Sequence, residues 1–158
     1  MLFRSKVWQR QSWTELFFLD EATAFAAGHR PCFYCRREDA KRFRAAWETG
    51  NRKRDVHAPD MDAVLHRERI ASGKMLHPLP VPLAKLPDGA MVQAGGESFV
   101  IVQGSALKWT PSGYRKAEGA LRDVMLLTPP STVCAFAAGY RPVVHESADA
   151  LEIGRAHV

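Results

Sequence analysis

LFFLDEATAFAAGHRPCFYCRR, residues 16–37, carries an apolar run, a helix with both of its ends marked, and a Cys-x-x-Cys. Residues 16–19 are apolar and end at an acid, the pattern of a buried strand. Asp20 follows as an N-cap, a carboxylate able to accept from the unpaired amides of a helix start. Residues 21–27 are Ala-rich and favour helix. Gly28 stands where a helix ends in positive φ, and Pro31 forbids continuation. Cys32 and Cys35 therefore fall on a stiff turn just past a short helix. Two sulfurs on such a turn can face one centre, which suits Zn2+, and Arg30, Arg36 and Arg37 beside them favour thiolates.

Structural zinc usually takes four ligands, and the chain has no second Cys-x-x-Cys. His29, His57 and His66 are the candidates for the remaining donors, none at a diagnostic spacing. Two other readings stay open: a pair of reduced structural thiols, or a redox pair. A thioredoxin-like pair follows a βαβ pattern and directly precedes a helix; the basic segment after Cys35 fits this, and the helix before Cys32 does not.

The wording AFAAGHRPCFYCRRED resembles the second half of the zinc-binding domain of Ada-type DNA methyl-phosphotriester repair proteins. In that family a strand, an EEAxAAGxRPCxxC helix-turn and an Arg-rich continuation supply two of four zinc cysteines. The matching residues are Glu21, Ala24, Ala26, Ala27, Gly28, Arg30, Pro31, Cys32 and Cys35. The resemblance implies a Zn2+ scaffold on Cys32 and Cys35. It does not bring methyl transfer, because the family's first cysteine pair holds the nucleophile and residues 1–31 contain no cysteine.

Residues 152–158, EIGRAHV, correspond to DNA resembling a common sequencing adapter and are set outside fold and function. Met1 opens directly in a strand-like alternation, which suggests a start inside a longer gene, with further metal ligands upstream.

The 158 residues, 46% hydrophobic, suffice for one core. No apolar run is long enough for a membrane helix, and three cysteines, two in a Cys-x-x-Cys, fit a reducing, cytoplasmic setting. The net charge of +5 is concentrated: residues 29–54 hold nine Lys/Arg and three Asp/Glu, a balance of +6 that leaves −1 elsewhere. That places an anion-facing patch beside the cysteines, with DNA or RNA as the expected partner. Its candidate contacts are Arg30, Arg36, Arg37, Lys41, Arg44, Arg52, Lys53 and Arg54. An ordinary solvated face, partly neutralised by an Arg44–Glu48 pair, is the competing reading.

Residues 2–19 read as two strands. Residues 38–48 form a helix with Ala40, Phe43 and Trp47 inward and Arg37, Lys41 and Arg44 on the opposite face. A second helix starts with Asp60 as N-cap and ends near Gly73, with Met61, Val64, Leu65 and Glu68/Ala71 marking its inner side, while the run His66-Arg67-Glu68-Arg69 is read as a solvated face in preference to acid–base chemistry. Residues 77–87, with four prolines, read as an extended surface crossing. Beyond it, Gly95-Gly96 signals a hairpin, further turns at 104–105 and 111–113 give an antiparallel meander, and residues 123–127 add a strand. Residues 24–31, AFAAGHRP, recur as 135–142, AFAAGYRP, after a Thr128-Pro129-Pro130 helix start and without the cysteines. Cys134 is a core residue and His145 a structural histidine in this reading.

The expected fold is α+β: residues 1–75 with strand, helix, Cys-x-x-Cys and basic helix; 76–88 as the crossing; 89–151 as meander and closing helix. The expected function is a non-catalytic, zinc-tied module that binds nucleic acid or regulates. The alternatives are a metal-free structural or protein-interaction domain, or a hydrolase using His57 or His66 with Asp55, Asp60 or Glu68.

Overall fold

The computed structural model describes residues 18–71 and 75–156, so the strands expected within residues 2–17 and the stop at Gly73 lie outside the described residues. The fold is α+β, with helices around a five-stranded antiparallel sheet of order β4-β3-β2-β1-β5. The strands are β1 (Met91–Ala94), β2 (Glu97–Val102), β3 (Ser105–Thr110), β4 (Gly113–Lys116) and β5 (Met125–Leu126). Gly95 and Gly96 both take positive φ, the backbone a tight hairpin needs, and Ala94 pairs with Glu97 across them.

Side-chain alternation explains how the sheet is covered. Val92, Ala94, Phe99 and Ile101 face one side, with Leu86, Leu126 and Val133. Met91, Val100, Leu107 and Tyr114 face the other, against Ala22, Ala26 and Ala148. Both faces are therefore buried.

The helices are α1 (Glu21–Ala26), α2 (Arg37–Asn51), α3 (Ala58–His66), α4 (Pro130–Ala137) and α5 (Ser147–Ala156). α5 runs on to Ala156, past residue 151, where the sequence-based expectation ends the domain. Phe25, Phe43, Trp47, Met61, Phe136 and Tyr140 build a separate helical core. Ala40, Phe43 and Trp47 are buried as their spacing predicts. The repeated AFAAG segments end α1 and α4 with matching bonds: His29 N–H donates to Ala24 O and Tyr140 N–H to Ala135 O, both at 3.1 Å. Gly28 and Gly139 both take positive φ. Their phenylalanines meet edge to face, Phe25 on Phe136 at 5.1 Å between centroids.

Asp20 caps α1 as expected, accepting from Thr23 N–H at 2.8 Å. Its second oxygen reaches much farther, accepting from Tyr114 O–H at 2.7 Å and His145 N–H at 2.8 Å. One carboxylate thus joins α1, β4 and the segment entering α5.

Several expectations need correction. α3 begins at Ala58 with His57 as N-cap; Asp60 is its third residue and accepts the His57 N–H at 2.8 Å. Arg69 does not lie on a solvated face, and Glu68 lies inward, as the apolar stripe implies, and not on the solvated face of the HRER run. Glu68 accepts from Ser131 Oγ at 2.7 Å and faces its N–H, capping α4, while Arg69 donates to the Ala26 carbonyl that ends α1. Thr128 does not cap α4; its hydroxyl accepts Met91 N–H at 2.8 Å. The Pro-rich segment runs over the surface with Pro78, Pro80 and Pro82 exposed, but it is tied to the sheet and not a free linker: His77 bridges Leu126, Leu86 is buried in the sheet core, and Leu79 and Leu83 pack against it. Phe18 and Leu19 run as irregular chain into α1, not as strand.

α2 and α4 approach so closely at Gly50 that an added Cβ would run into the Cys134 carbonyl. Gly→Ala inside a helix ordinarily gains up to about 1 kcal/mol, whereas overpacking against backbone costs about 1–3 kcal/mol. Gly50→Ala is expected to lower the urea midpoint, and a raised midpoint would contradict this packing. Burial, and then the Asp20 charge, raise the Tyr114 phenol, while burial pushes Tyr140 up to about 12. A phenol raised in the folded state contributes stability that is complete below the unfolded value of about 10 and is lost as pH rises through the folded value. Urea midpoints are expected to fall as pH is taken from about 10 to about 12; a flat or rising profile would contradict the two buried phenols.

Candidate metal turn and basic face

The end of α1 sets where the cysteines stand. Gly28, at φ 92°, turns the chain out of the helix, and the Arg69 side chain lies over it so closely that an added Cβ would meet Arg69 Cδ at 2.8 Å. Glycine is thus required there for its conformation and for its lack of bulk. Pro31 is buried, and the Cys32 carbonyl accepts Arg36 N–H at 2.9 Å, closing a turn over residues 32–36 directly before α2. Phe33 anchors this turn against the helical core. The guanidiniums of Arg30 and Arg44 lie over its ring at 5.8 and 5.9 Å.

The thiols differ. The Cys35 N–H bond is the largest influence on Cys32 and pulls its thiol below the ordinary value, with partial burial opposing. The Tyr34 N–H, 3.3 Å from Cys32 Sγ, the Cys35 thiol and the Arg30 charge add to the lowering. Cys35, whose thiol bonds to Cys32, is raised. Backbone amides aimed at Cys32 stabilise thiolate, the form that binds metal and reacts as a nucleophile.

Both sulfurs line a concavity of about 320 Å3 shared with Phe18, Glu21, Phe25, His29 and Arg36. His29 is exposed as a residue, but its ring is set against Phe18 at 5.1 Å. Burial of the ring, followed by the Arg69 charge, lowers the imidazole below its usual value and favours the neutral, metal-binding form. His57 and His66 are elsewhere. His57 shares a cleft of about 310 Å3 with Arg44, Glu48, Arg54 and Asp55. His66 lines another concavity with Asp62, Leu65 and Arg69. Among the described residues no three His, Cys, Asp or Glu side chains come together closely enough to hold a metal ion. Of the carboxylates weighed as histidine partners, Asp60 accepts the His57 backbone and Glu68 accepts Ser131.

The basic residues divide into two sets. Arg30 forms a two-pronged pair with Asp62, at 2.7 and 2.9 Å, and Arg36 pairs with Glu21 and Asp39. Their charge is largely answered within the fold. Lys41 stands 4.0 Å from the exposed Glu38, a pair worth little in water. The expected Arg44–Glu48 pair does not form among the described residues; Glu48 accepts Val56 N–H at 2.8 Å while Arg44 covers Phe33. Arg37, Arg52, Lys53 and Arg54 are exposed and meet no carboxylate among the described residues. The unanswered charge thus runs from Arg37 at the start of α2, past Lys41 and Arg44, to the loop after its end.

Sequence reasoning missed Tyr34, which lies between the cysteines and is 97% exposed. Its position between two cysteines on a tight turn is a signal that could have found it. No family model matches the chain, and no curated protein or solved structure is significantly similar to it.

In metal-free protein near neutral pH, Cys32 is expected to alkylate faster with iodoacetamide than the more exposed Cys35, read by peptide mass spectrometry. The reverse order would show that exposure, and not the amide bonds to Cys32 Sγ, governs this turn.

Proposed function

We propose that the chain is a non-catalytic, zinc-tied module that binds nucleic acid along the outer face of α2 and the loop that follows it. The observation that carries the reading is the junction at residue 36. A turn with two thiols, one held toward thiolate by backbone amides, leads directly into a helix on which the exposed Arg37 meets no carboxylate among the described residues and Lys41 meets one only at 4.0 Å, while Arg42 is paired with Asp39. Cys32 and Cys35 would supply two donors, and the rest of the shell would come from outside the described residues. The metal would lock the turn against which Phe33, Arg30 and Arg44 are stacked. α2, about 22 Å long, then offers Arg37, Lys41 and Arg44 to successive phosphates, with Arg52, Lys53 and Arg54 beyond it. The Ada-type wording supports the zinc part of this reading and not a transfer reaction.

A second reading has one specific support. The lowered Cys32 and raised Cys35 are also the asymmetry of a thiol–disulfide pair ahead of a helix. That pair would form a reversible disulfide and retain no zinc.

The test is zinc content and binding to a mixed-sequence oligonucleotide across salt, for the wild type and for Cys32→Ser/Cys35→Ser. The proposal predicts about one zinc per chain, lost in the variant, and affinity that falls linearly on log–log axes with salt, by about 0.7–0.9 in slope per phosphate neutralised. No zinc in either protein and no salt-dependent binding would overturn it; a reversible disulfide in its place would favour the second reading.

A further inference from the structure

We infer that Tyr34 is a base-stacking residue and that the nucleic acid is single-stranded, an inference that rests on the nucleic-acid reading above. Tyr34 is 97% exposed, more than Val143 at 64% or Met75 at 52%, the next most exposed large apolar side chains among the described residues. Nothing among the described residues uses its side chain. Among the described residues its ring meets no other ring and its hydroxyl meets no partner. An aromatic side chain of this size left in water contributes nothing to the core, although it could bury about 150–250 Å2 against a partner.

Its backbone, by contrast, is well held. The Tyr34 N–H points at Cys32 Sγ, the Cys32 carbonyl holds Arg36, and Phe33 is packed beneath. A ring with two rotatable bonds on a fixed turn loses little freedom when it stacks. The chemistry around it selects the partner. Arg37, exposed and without a carboxylate among the described residues, follows three residues later, and Arg44 holds the ring of Phe33 from the α2 side. An exposed aromatic three residues before an exposed cation without a carboxylate among the described residues matches the two surfaces a nucleic-acid strand offers, the base face and the phosphate. In a duplex the base faces are already stacked on one another, so an exposed tyrosine at a turn tip can stack only where bases are unpaired.

The experiment measures fluorescence anisotropy of labelled oligo(dT), oligo(U) and a DNA duplex with the same number of phosphates. Each is titrated with zinc-loaded wild type, Tyr34→Ala, Tyr34→Phe and Arg37→Gln across salt. Single strands should bind more tightly than the duplex. Stacking of one base is worth about 1–3 kcal/mol, so Tyr34→Ala should weaken single-strand binding by about 5- to 150-fold with an unchanged salt slope. Tyr34→Phe should bind as wild type does. Arg37→Gln should reduce the slope by about 0.7 instead. The oligo(dT) and oligo(U) arms show which sugar is preferred. Equal binding by Tyr34→Ala and wild type, or duplex binding as tight as single-strand binding, would overturn the inference and leave the nucleic-acid reading in place. No salt-dependent binding to any of the three would remove both, and binding only to an acidic peptide such as oligoglutamate would reassign the surface to a protein partner.

Discussion

The carboxylate of Asp20 is the constraint on which the arrangement depends. One oxygen caps α1 through the Thr23 N–H and hydroxyl; the other takes the Tyr114 hydroxyl and the His145 amide. A helix of six residues has little stability of its own. This one is held because its first turn is tied to the sheet and to the entry of α5, and its last carbonyl accepts from Arg69. Fixing both ends fixes Gly28, and Gly28 fixes where the chain emerges toward the cysteines. The Cys-x-x-Cys turn is therefore positioned by hydrogen bonds to groups distant in sequence and not by its own residues alone.

The two copies of the AFAAG helix stop show how one local solution serves two ends. Both helices terminate with the same backbone bonds and a left-handed glycine, and both contribute a phenylalanine to one aromatic core. They part at the next residue. In the second copy Tyr140 turns back into the core, against Phe25 and Phe43. In the first, His29 faces the concavity of Cys32 and Cys35. The second copy is packing throughout, while the first leads into the Cys-x-x-Cys turn.

What was legible in the sequence was local. The Asp20 cap, the Gly28 stop, the apolar stripe of α2 and the Gly95-Gly96 hairpin follow from residues a few positions apart, and the structure contains each of them. What was not legible depends on partners brought together by folding. Glu68 reaches 63 residues along the chain to Ser131, and Arg69 reaches back 43 to Ala26, so a stretch reading HRER looked like a solvated face. The crossing segment looked like a linker because prolines are visible in a sequence and its pairing with Leu126 is not. For the candidate site, the two cysteines and the surplus of positive charge were legible. The division of that charge was not, since it depends on Asp62 and Glu21 standing beside Arg30 and Arg36.

The most direct test of the central claim, that this turn is half of a zinc site presented by a hydrogen-bonded frame, is X-ray absorption at the zinc edge of the purified protein. The account predicts two sulfur neighbours at about 2.3 Å and nitrogen or oxygen donors at about 2.0–2.2 Å completing the shell. A shell with no sulfur would contradict it, because the metal would then lie away from Cys32 and Cys35. A shell of four sulfurs would contradict the mixed donor set, since the chain has only three cysteines and the zinc would have to join two molecules.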